Sequence, residues 1–259
     1  MNVLWIYAHP EGASLAGALR EEGVRALEDR GDRVEVSDLY AMKWKATVDA
    51  DDFTGHDPGR RLRVGPASQH AYETATLSGD IRAEHDKLAR ADAVVVQFPL
   101  WWYGMPAILK GWFDRVFVQG FAYGVKDPRD PRRTLRYGEG RLAGKRALVI
   151  VTTGSPEPAI GPRGINGQLD QVLFPLLHGT LWYTGMSPLP PVGVYGANHL
   201  TPEEYDAAAA LVRGRVTTMA QTEPIPYRTQ NGGDYDRDLV LRPEVAPGTS
   251  GLGVHTAQP

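Results

Sequence analysis

Apolar runs separated by helix-like segments constrain the fold of this chain more than any other feature. Residues 3–8 form one such run, residues 93–96 a second and residues 146–153 a third. A strand that is apolar at nearly every position is buried on both faces, which is typical of parallel sheets covered by helices. Since strands alternate with helices along the chain, we expect a mostly parallel sheet with right-handed crossovers.

Capping residues and hydrophobic spacing place the remaining elements. Ser14 can cap the first helix, and Gly31 can end it. Thr201 opens the last helix with a capping-box pattern. The segment 124–144, rich in Gly, Pro and Arg, is predicted to be a loop. The full prediction places strands at 3–8, 33–39, 93–98, 146–153 and 184–194, and helices at 15–30, 68–76, 81–91, 106–116, 165–177 and 201–221.

These elements predict one α/β domain with an extension. Five strands suit a doubly wound, flavodoxin-like parallel sheet in the order 2-1-3-4-5, with helices on both faces. We expect this domain to span residues 1–222. From residue 223 to residue 259 the composition shifts to Pro, Gly and charged residues. This shift predicts an irregular C-terminal extension that packs on the domain or on a dimer partner.

Composition and charge exclude several classes of protein. The chain has 259 residues, enough to bury a core unaided, and its net charge of −3 gives no basic field for nucleic acid. It has no run of about 18 apolar residues that could span a membrane. Its lack of cysteine excludes disulfides and thiolate chemistry, and its histidines lack the spacing of a metal site. We therefore expect a cytoplasmic protein with no membrane insertion, nucleic-acid partner or metal.

Three loops at the carboxyl ends of central strands carry the candidate chemistry, because ligands of open α/β sheets bind at this edge. Loop 9–14 leads into a helix N-terminus, where free N–H groups can bind phosphate. Loop 99–103 contains three adjacent aromatic residues, and we expect it to offer free backbone N–H groups from Trp101 and Trp102. Loop 152–156 adds hydroxyls and a glycine. A flat, polarisable ligand such as an isoalloxazine would explain rings at a solvated edge. Each loop alone also fits a structural role, as a capped helix, a hydrophobic plug or a turn.

Several motifs, in order along residues 1–220, together resemble the NAD(P)H:quinone oxidoreductase (DT-diaphorase-like) family. They are His9-Pro-Glu, Ser37-Asp-Leu-Tyr-Ala-Met, Gln97-Phe-Pro-Leu-Trp, Pro106-Ala-Ile-Leu-Lys-Gly-Trp-Phe, Arg115-Val-Phe, Phe121-Ala-Tyr and Thr152-Thr-Gly. The resemblance implies a flavodoxin-like fold, bound FAD and a homodimer whose flavin sites lie at the subunit interface. It also implies two-electron, ping-pong reduction of a quinone or similar aromatic acceptor by NADH or NADPH.

The resemblance assigns site residues position by position. Cofactor positions are His9, Ser14, Leu15 and Ala16 at the pyrophosphate, Pro99, Leu100, Trp101 and Trp102 around the isoalloxazine, and Thr152, Thr153, Gly154 and Ser155 along its pyrimidine edge. Substrate-pocket positions are Trp102, Tyr123, Val125, Ile160, Asn166 and Tyr183. Of these residues, Asn166, Gly154 and Tyr123 are the expected catalytic ones.

The chain departs from the family pattern at four of its positions. Ile160 and Asn166 stand where the family has a Tyr and a His, and neither can exchange a proton near neutral pH. Asn166 can still donate a hydrogen bond to a developing anion. Val125 replaces a pocket Tyr, and Asp206 stands where an Arg is expected near the FAD phosphates, so FMN remains an alternative cofactor.

Two other functions fit the same sequence. The replacement of the family's Tyr and His by Ile160 and Asn166 suits a flavin-dependent tailoring enzyme that acts on a polycyclic aromatic natural product. The long C-terminal extension suits a flavin-binding regulatory subunit of a transporter, in which the extension would contact the partner.

Overall fold

A parallel sheet forms the centre of the protein. The computed structural model describes residues 1–257. The strands are β1 (Asn2–Tyr7), β2 (Arg33–Asp38), β3 (Ala93–Pro99), β4 (Lys126–Asp127), β5 (Asp130–Thr134), β6 (Arg146–Thr152), β7 (Ser187–Pro188) and β8 (Val192–Val194). The sheet runs β2-β1-β3-β6, and β7 and β8 both pair with β6. With the separate hairpin β4–β5 set aside, this is the predicted order 2-1-3-4-5, and every pair is parallel.

Helices cover both faces of the sheet, as predicted. They are α1 (Leu15–Asp29), α2 (Val64–Glu73), α3 (Gly79–Arg90), α4 (Ala107–Val116), α5 (Leu169–Val172), α6 (Phe174–Leu176) and α7 (Pro202–Thr217). Helices α1 and α7 pack against each other and on one face, around the buried Trp5 and Val212. Helices α3 and α4 cover the other face around Leu88 and Trp112. In the described part of the chain, none of these helices combines the length and apolar character that crossing a membrane requires.

The fifth position of the sheet differs from the single strand predicted at 184–194. β7 pairs with the start of β6, where Arg146 faces Ser187, and β8 pairs with its end, where Ile150 faces Val192. The intervening residues include Pro190 and Pro191, which lack the N–H that a ladder needs. Proline therefore splits this strand in two.

Three other segments also differ from the prediction. Residues 124–144 contain the hairpin β4–β5 instead of loop alone. The helix predicted at 165–177 begins only at Leu169, since Gly167 just before it has a φ of +78°, and it continues as a π-helical turn over Leu177–Trp182. The helix predicted at 68–76 begins earlier, at Val64, and ends at Glu73.

The C-terminal extension is held against the domain by hydrogen bonds to backbone carbonyls. The N–H of Ile225 donates to the carbonyl of Pro188, and the indole of Trp182 donates to the carbonyl of Arg228. Between residues 223 and 257, its one regular element is a 3₁₀ turn at Leu252–His255. The predicted extension includes residues 258 and 259, which lie outside the described residues, and the proposed boundary at residue 222 stays a prediction.

A buried ion-pair cluster fixes helix α4 to the loop before α2. The side chain of Arg115 is 1% exposed and lies 2.7 Å from a carboxylate oxygen of both Asp52 and Asp80. Its guanidinium also stacks 4.7 Å from the ring centroid of Trp44. Burial would raise the pKa of Asp80, but the hydrogen bonds from Arg115 and Ser78 outweigh it and hold this pKa below its usual range. A charge so deeply buried is tolerated only because it is paired on two sides.

Candidate functional site

A cleft of about 340 Å³ opens at the carboxyl edge of β1, β3 and β6. Its walls come from the three predicted loops together with a fourth, between β8 and α7. The residues that line it are His9, Ser14, Leu15, Ala16, Pro99, Leu100, Trp101, Thr152, Thr153, Gly154, Ala197 and Asn198. The structure therefore brings together ten of the twelve predicted cofactor residues; Trp102 and Ser155 lie beside the cleft in the same loops.

The first wall is the start of helix α1, which presents free donors to the cleft. Ser14 is the N-cap, and its Oγ accepts from the N–H of Gly17 at 3.1 Å. The N–H groups of Leu15 and Ala16 have no acceptor within residues 1–257. These N–H groups and the helix dipole favour a negative group at this point.

Two residues hold the loop and helix in this arrangement. A Cβ on Gly17 would lie 2.2 Å from the carbonyl oxygen of Gly12, so only glycine allows the loop to close over the helix. The fully buried Gln97 of β3 accepts from the indole N–H of Trp5 at 2.9 Å and donates to the carbonyl of Ala16 at 2.7 Å. This side chain fixes the first turn of α1 relative to the sheet.

His9 is oriented by the backbone of its own loop. Its Nδ1 lies 3.1 Å from the N and 3.0 Å from the O of Glu11. Nε2 is therefore the ring nitrogen that remains for a ligand. The imidazole lies 6.5 Å from the ring of Trp101, on the opposite wall of the cleft.

The second wall is a tight turn that holds two aromatic residues in left-handed conformations. Trp101 and Gly104 exchange backbone hydrogen bonds of 3.1 and 3.0 Å, while Trp102 and Tyr103 have φ values of +51° and +58°. Two consecutive positive φ values define a type I′ turn, which normally takes Asn and Gly. Trp102 is 97% exposed, so burial of its side chain does not offset the free-energy cost of the strained backbone. Strain of this kind concentrates at functional sites.

One expectation for this loop is wrong. The loop was expected to offer free N–H groups from both tryptophans, yet the N–H of Trp101 is bonded within the turn. The N–H of Trp102 has no acceptor in the described part of the chain. The turn therefore uses the N–H of Trp101 and leaves the N–H of Trp102 for a ligand.

The third wall follows β6 and is narrow. Thr152 and Thr153 are largely buried, and the Oγ1 of Thr153 accepts from the N–H of Ser155 at 3.2 Å. A Cβ on Gly154 would lie 2.9 Å from the Nδ2 of Asn198, so a larger residue would close this part of the cleft. The N–H of Gly154 has no acceptor within residues 1–257, so it can donate to the polar edge of a planar ligand in the cleft.

Asn166 connects the second and third walls. Its Oδ1 accepts from the hydroxyl of Tyr103 at 2.7 Å, and its Nδ2 lies 3.5 Å from the Oγ of Ser155. The Tyr103 bond fixes which way the amide points and leaves the NH₂ group weakly engaged. Tyr103 and Asn198 are site residues that sequence reasoning missed. The unusual aromatic triplet was a signal for Tyr103, but no local pattern marks Asn198.

Four of the six predicted substrate residues, Tyr123, Val125, Ile160 and Tyr183, lie away from the cleft, whereas Trp102 and Asn166 lie beside it. Tyr123 and Tyr183 line a second cavity of about 240 Å³, together with Phe117, Ala122, Gly179, Thr180 and Thr184. This cavity shares no lining residue with the cleft. Val125 is half-buried, and Ile160 packs into the core with 4% of its surface exposed. Within one chain, therefore, Tyr123 and Tyr183 lie in a cavity separate from the cleft.

His9 is the one histidine among the described residues that line the cleft. No Lys, Arg, Asp or Glu is among its lining residues as far as the structure is described. A phosphate there would depend on backbone N–H groups and on His9. This arrangement suits a nucleotide that is held by its phosphates at the helix start and by its ring against the aromatic turn.

Comparison with known proteins places the chain among enzymes of one family. A family model described as a flavodoxin-like fold matches residues 1–216. A relative from Penicillium crustosum, ribosyldihydronicotinamide dehydrogenase-like protein traD, is 46% identical over 99% of this chain and 96% of its own. NAD(P)H dehydrogenase (quinone) 1 from Cavia porcellus is 40% identical over 94% of this chain and 87% of its own. A crystal structure from Klebsiella pneumoniae, described as a candidate quinone reductase, is 51% identical, covers 99% of this chain and 100% of its own, and superposes with a TM-score of 0.95. The chain is therefore an oxidoreductase that belongs to the flavodoxin-like family and, within it, to the NAD(P)H:quinone oxidoreductases.

Proposed function

We propose that the cleft binds a flavin, FAD with FMN as the alternative, and that the protein passes two electrons from NADH or NADPH to a quinone or similar aromatic acceptor. The observation that carries this proposal is the meeting of two features in one cleft. Free N–H groups of Leu15 and Ala16 lie on one wall, and the exposed aromatic turn of Trp101 and Trp102 lies on another. Phosphate and a planar ring require these two environments together.

Each wall then has a role in holding the cofactor. The N–H groups at the start of α1 and the Nε2 of His9 would bind its phosphates. Trp101 and Trp102 would cover its ring, and Thr152, Thr153 and the N–H of Gly154 would contact the ring's polar edge. A bound flavin would supply the redox chemistry itself.

Asn166 is the proposed residue for charge stabilisation. Its NH₂ group, oriented by the hydroxyl of Tyr103 beside the cleft, can donate to an oxygen on which negative charge develops. It has no proton to transfer, and neither has Ile160. General acid–base help, commonly worth ~10²–10⁴-fold in rate, would therefore come from another group, such as water or a hydroxyl of the substrate.

The acceptor residues suggest that the working site needs two chains. Tyr123 and Tyr183 do not reach the cleft of their own chain. In a homodimer with flavin at the interface, they would complete the partner's cleft and exclude water there. We propose this homodimer as the active form, with donor and acceptor using the same site in turn.

Reconstitution with flavin tests the cofactor, the donor and the acceptor together. Flavin-depleted protein is mixed anaerobically with FAD or FMN, titrated with NADH or NADPH, and then offered a set of benzoquinones and naphthoquinones. Retention of FAD, bleaching by either donor and reoxidation by a quinone are the expected results. Failure to hold either flavin would refute the proposal.

Subunit complementation tests the shared site. Trp101→Ala and Tyr123→Ala chains are each expected to be weakly active as homodimers. A mixture of the two forms heterodimers in which one site carries both changes and the other carries neither. Recovery of activity on mixing is expected; additive residual activity would contradict the shared site. Two Tyr123→Ala preparations mixed with each other serve as the control.

A flavin-dependent tailoring enzyme is the second candidate, and the neutral Asn166 and buried Ile160 favour it. Without a proton-transferring side chain at these two positions, the site suits a narrow set of polycyclic substrates that supply their own hydroxyl groups. Rapid turnover of simple benzoquinones would argue against this specialisation.

A further inference from the structure

Tyr7, the last residue of β1, lies next to the start of helix α1, and none of the roles proposed above uses it. Its side chain is fully buried. The guanidinium of Arg20 lies 4.5 Å from the centroid of its ring, and Arg20 is itself held by a carboxylate oxygen of Asp38 at 2.9 Å. Because the ring is enclosed and held on one face, the direction of its hydroxyl group is fixed.

The hydroxyl of Tyr7 is the donor in its one hydrogen bond. Within residues 1–257 its only partner is the Oγ of Ser14, at 3.3 Å. Burial raises the pKa of Tyr7 above its ordinary value, so the hydroxyl carries its proton at neutral pH. A buried O–H that finds no acceptor is costly, and Ser14 is the acceptor within reach. Tyr7 therefore donates and Ser14 accepts.

This bond completes the acceptor capacity of Ser14. A hydroxyl oxygen has two lone pairs. One accepts from the N–H of Gly17 at 3.1 Å, and the other accepts from Tyr7. The proton of the Ser14 hydroxyl has no acceptor in the described part of the chain, and Ser14 lines the cleft. The hydrogen bonds thus leave this O–H to donate to a ligand in the cleft.

The Ser14 proton adds a third donor to the wall at the start of α1. The N–H groups of Leu15 and Ala16 are the other two. Since no Lys or Arg is among the described lining residues, a phosphate in the cleft depends on neutral donors of this kind. An O–H whose oxygen already accepts two hydrogen bonds is polarised and donates more strongly.

We propose that Tyr7 is a positioning residue, which donates to Ser14 and so holds the Ser14 hydroxyl as a donor to a phosphate of the cofactor. Tyr7 itself does not touch the cofactor and acts through Ser14. This inference rests on the proposed function, because it requires that the cleft binds a flavin nucleotide.

Binding of FMN and of riboflavin, which differ only in the phosphate, tests this proposal. Flavin-depleted protein is titrated with each, and the dissociation constants are read from the quenching of flavin fluorescence. Tyr7→Phe keeps the ring but frees the Ser14 hydroxyl to rotate among its staggered positions. FMN binding should therefore weaken about two- to fivefold, while riboflavin binding is unchanged. FAD, which also carries the phosphate, should show the same loss as FMN.

A double-mutant cycle shows whether Tyr7 acts through Ser14. Ser14→Ala should weaken FMN binding about tenfold or more, because a hydrogen bond to a charged group is lost. Adding Tyr7→Phe to Ser14→Ala should then change nothing further, since the residue through which Tyr7 acts is absent. Tyr227→Phe is the matched control, because Tyr227 is also buried but lies in the C-terminal extension, and it should bind FMN normally. Circular dichroism verifies folding; if Ser14→Ala does not fold without its cap, the FMN and riboflavin affinities of Tyr7→Phe decide.

Three outcomes would overturn the role of Tyr7. They are an unchanged FMN affinity in Tyr7→Phe, an equal loss of FMN and riboflavin affinity, and a further loss when Tyr7→Phe is added to Ser14→Ala. An equal loss for both ligands would mean that Tyr7 only supports the structure of the cleft. Failure of the wild-type protein to bind any flavin would instead refute the proposed function, so the two failures are distinguishable.

Discussion

Replacing Trp102 with glycine is expected to stabilise the flavin-free protein although it removes a large aromatic side chain. Trp102 has a φ of +51°, a conformation that costs an L-residue with a Cβ roughly 1–2 kcal/mol relative to glycine. Its side chain is 97% exposed, so almost no buried apolar area is lost. The extra freedom of glycine in the unfolded chain offsets about 0.5–1 kcal/mol of the gain. The net increase in the free energy of unfolding is therefore between about 0 and 1.5 kcal/mol, with a central value of about 0.75 kcal/mol.

Urea unfolding of the flavin-free variants measures this difference. Trp102→Ala is the matched control, because it removes the same ring but keeps the Cβ and hence the strain; its stability should stay within about 0.5 kcal/mol of wild type. Both variants should lose cofactor or acceptor affinity equally, by the ~0.5–1.5 kcal/mol of one aromatic pair. If Trp102→Gly unfolds at lower urea than Trp102→Ala, the turn is not strained and the reasoning is wrong.

Three further predictions follow from the contacts described. Asn166→Ala should slow the oxidation of NADH or NADPH about 10²-fold or more while flavin content is unchanged, because a preorganised hydrogen-bond donor is lost. Stopped-flow measurement of flavin reduction tests this. Asn166→Ser keeps a hydrogen-bond donor and should be less impaired. Arg115→Met should lower the free energy of unfolding by about 3 kcal/mol, because the buried Asp52 then keeps only Lys45 as a partner, at 3.0 Å. The double variant Arg115→Met with Asp52→Asn should recover part of this loss in urea unfolding. His178 has a pKa of about 4 in the folded chain and 6.5 in the unfolded chain, so between these pH values the unfolded chain binds more protons and the free energy of unfolding falls as the pH falls. Between pH 7 and pH 5, wild type should therefore lose about 2 kcal/mol more of this free energy than His178→Phe does. Equal losses would contradict the burial of this ring.

The sequence allowed the sheet and the walls of the cleft to be predicted because both depend on local patterns. Continuous apolar runs identified the central strands, and parallel strands necessarily bring their following loops to one edge. Ser14 was recognisable as a cap because its chemistry is local. These features require no knowledge of distant residues.

The features that were missed depend on contacts between distant segments. The bond from Tyr103 to Asn166 joins residues 63 positions apart, and Asn198 enters the cleft from a loop with no distinctive pattern. The hydrogen bond of the Trp101 N–H could not be foreseen without the turn's geometry. The location of Tyr123 and Tyr183 away from their own cleft likewise follows from the three-dimensional path of the chain.

Both borders of the central sheet resist the addition of another strand. On one side, β2 exposes Arg33 and Glu35, charges that discourage edge-to-edge pairing. On the other, the two prolines interrupt the outer strand, and Ile225 already occupies the carbonyl of Pro188. Self-association by continuing the sheet into a second copy is therefore disfavoured. Any stable pair of these chains has to form through helices and loops, the surfaces from which one chain could supply side chains to the other's cleft.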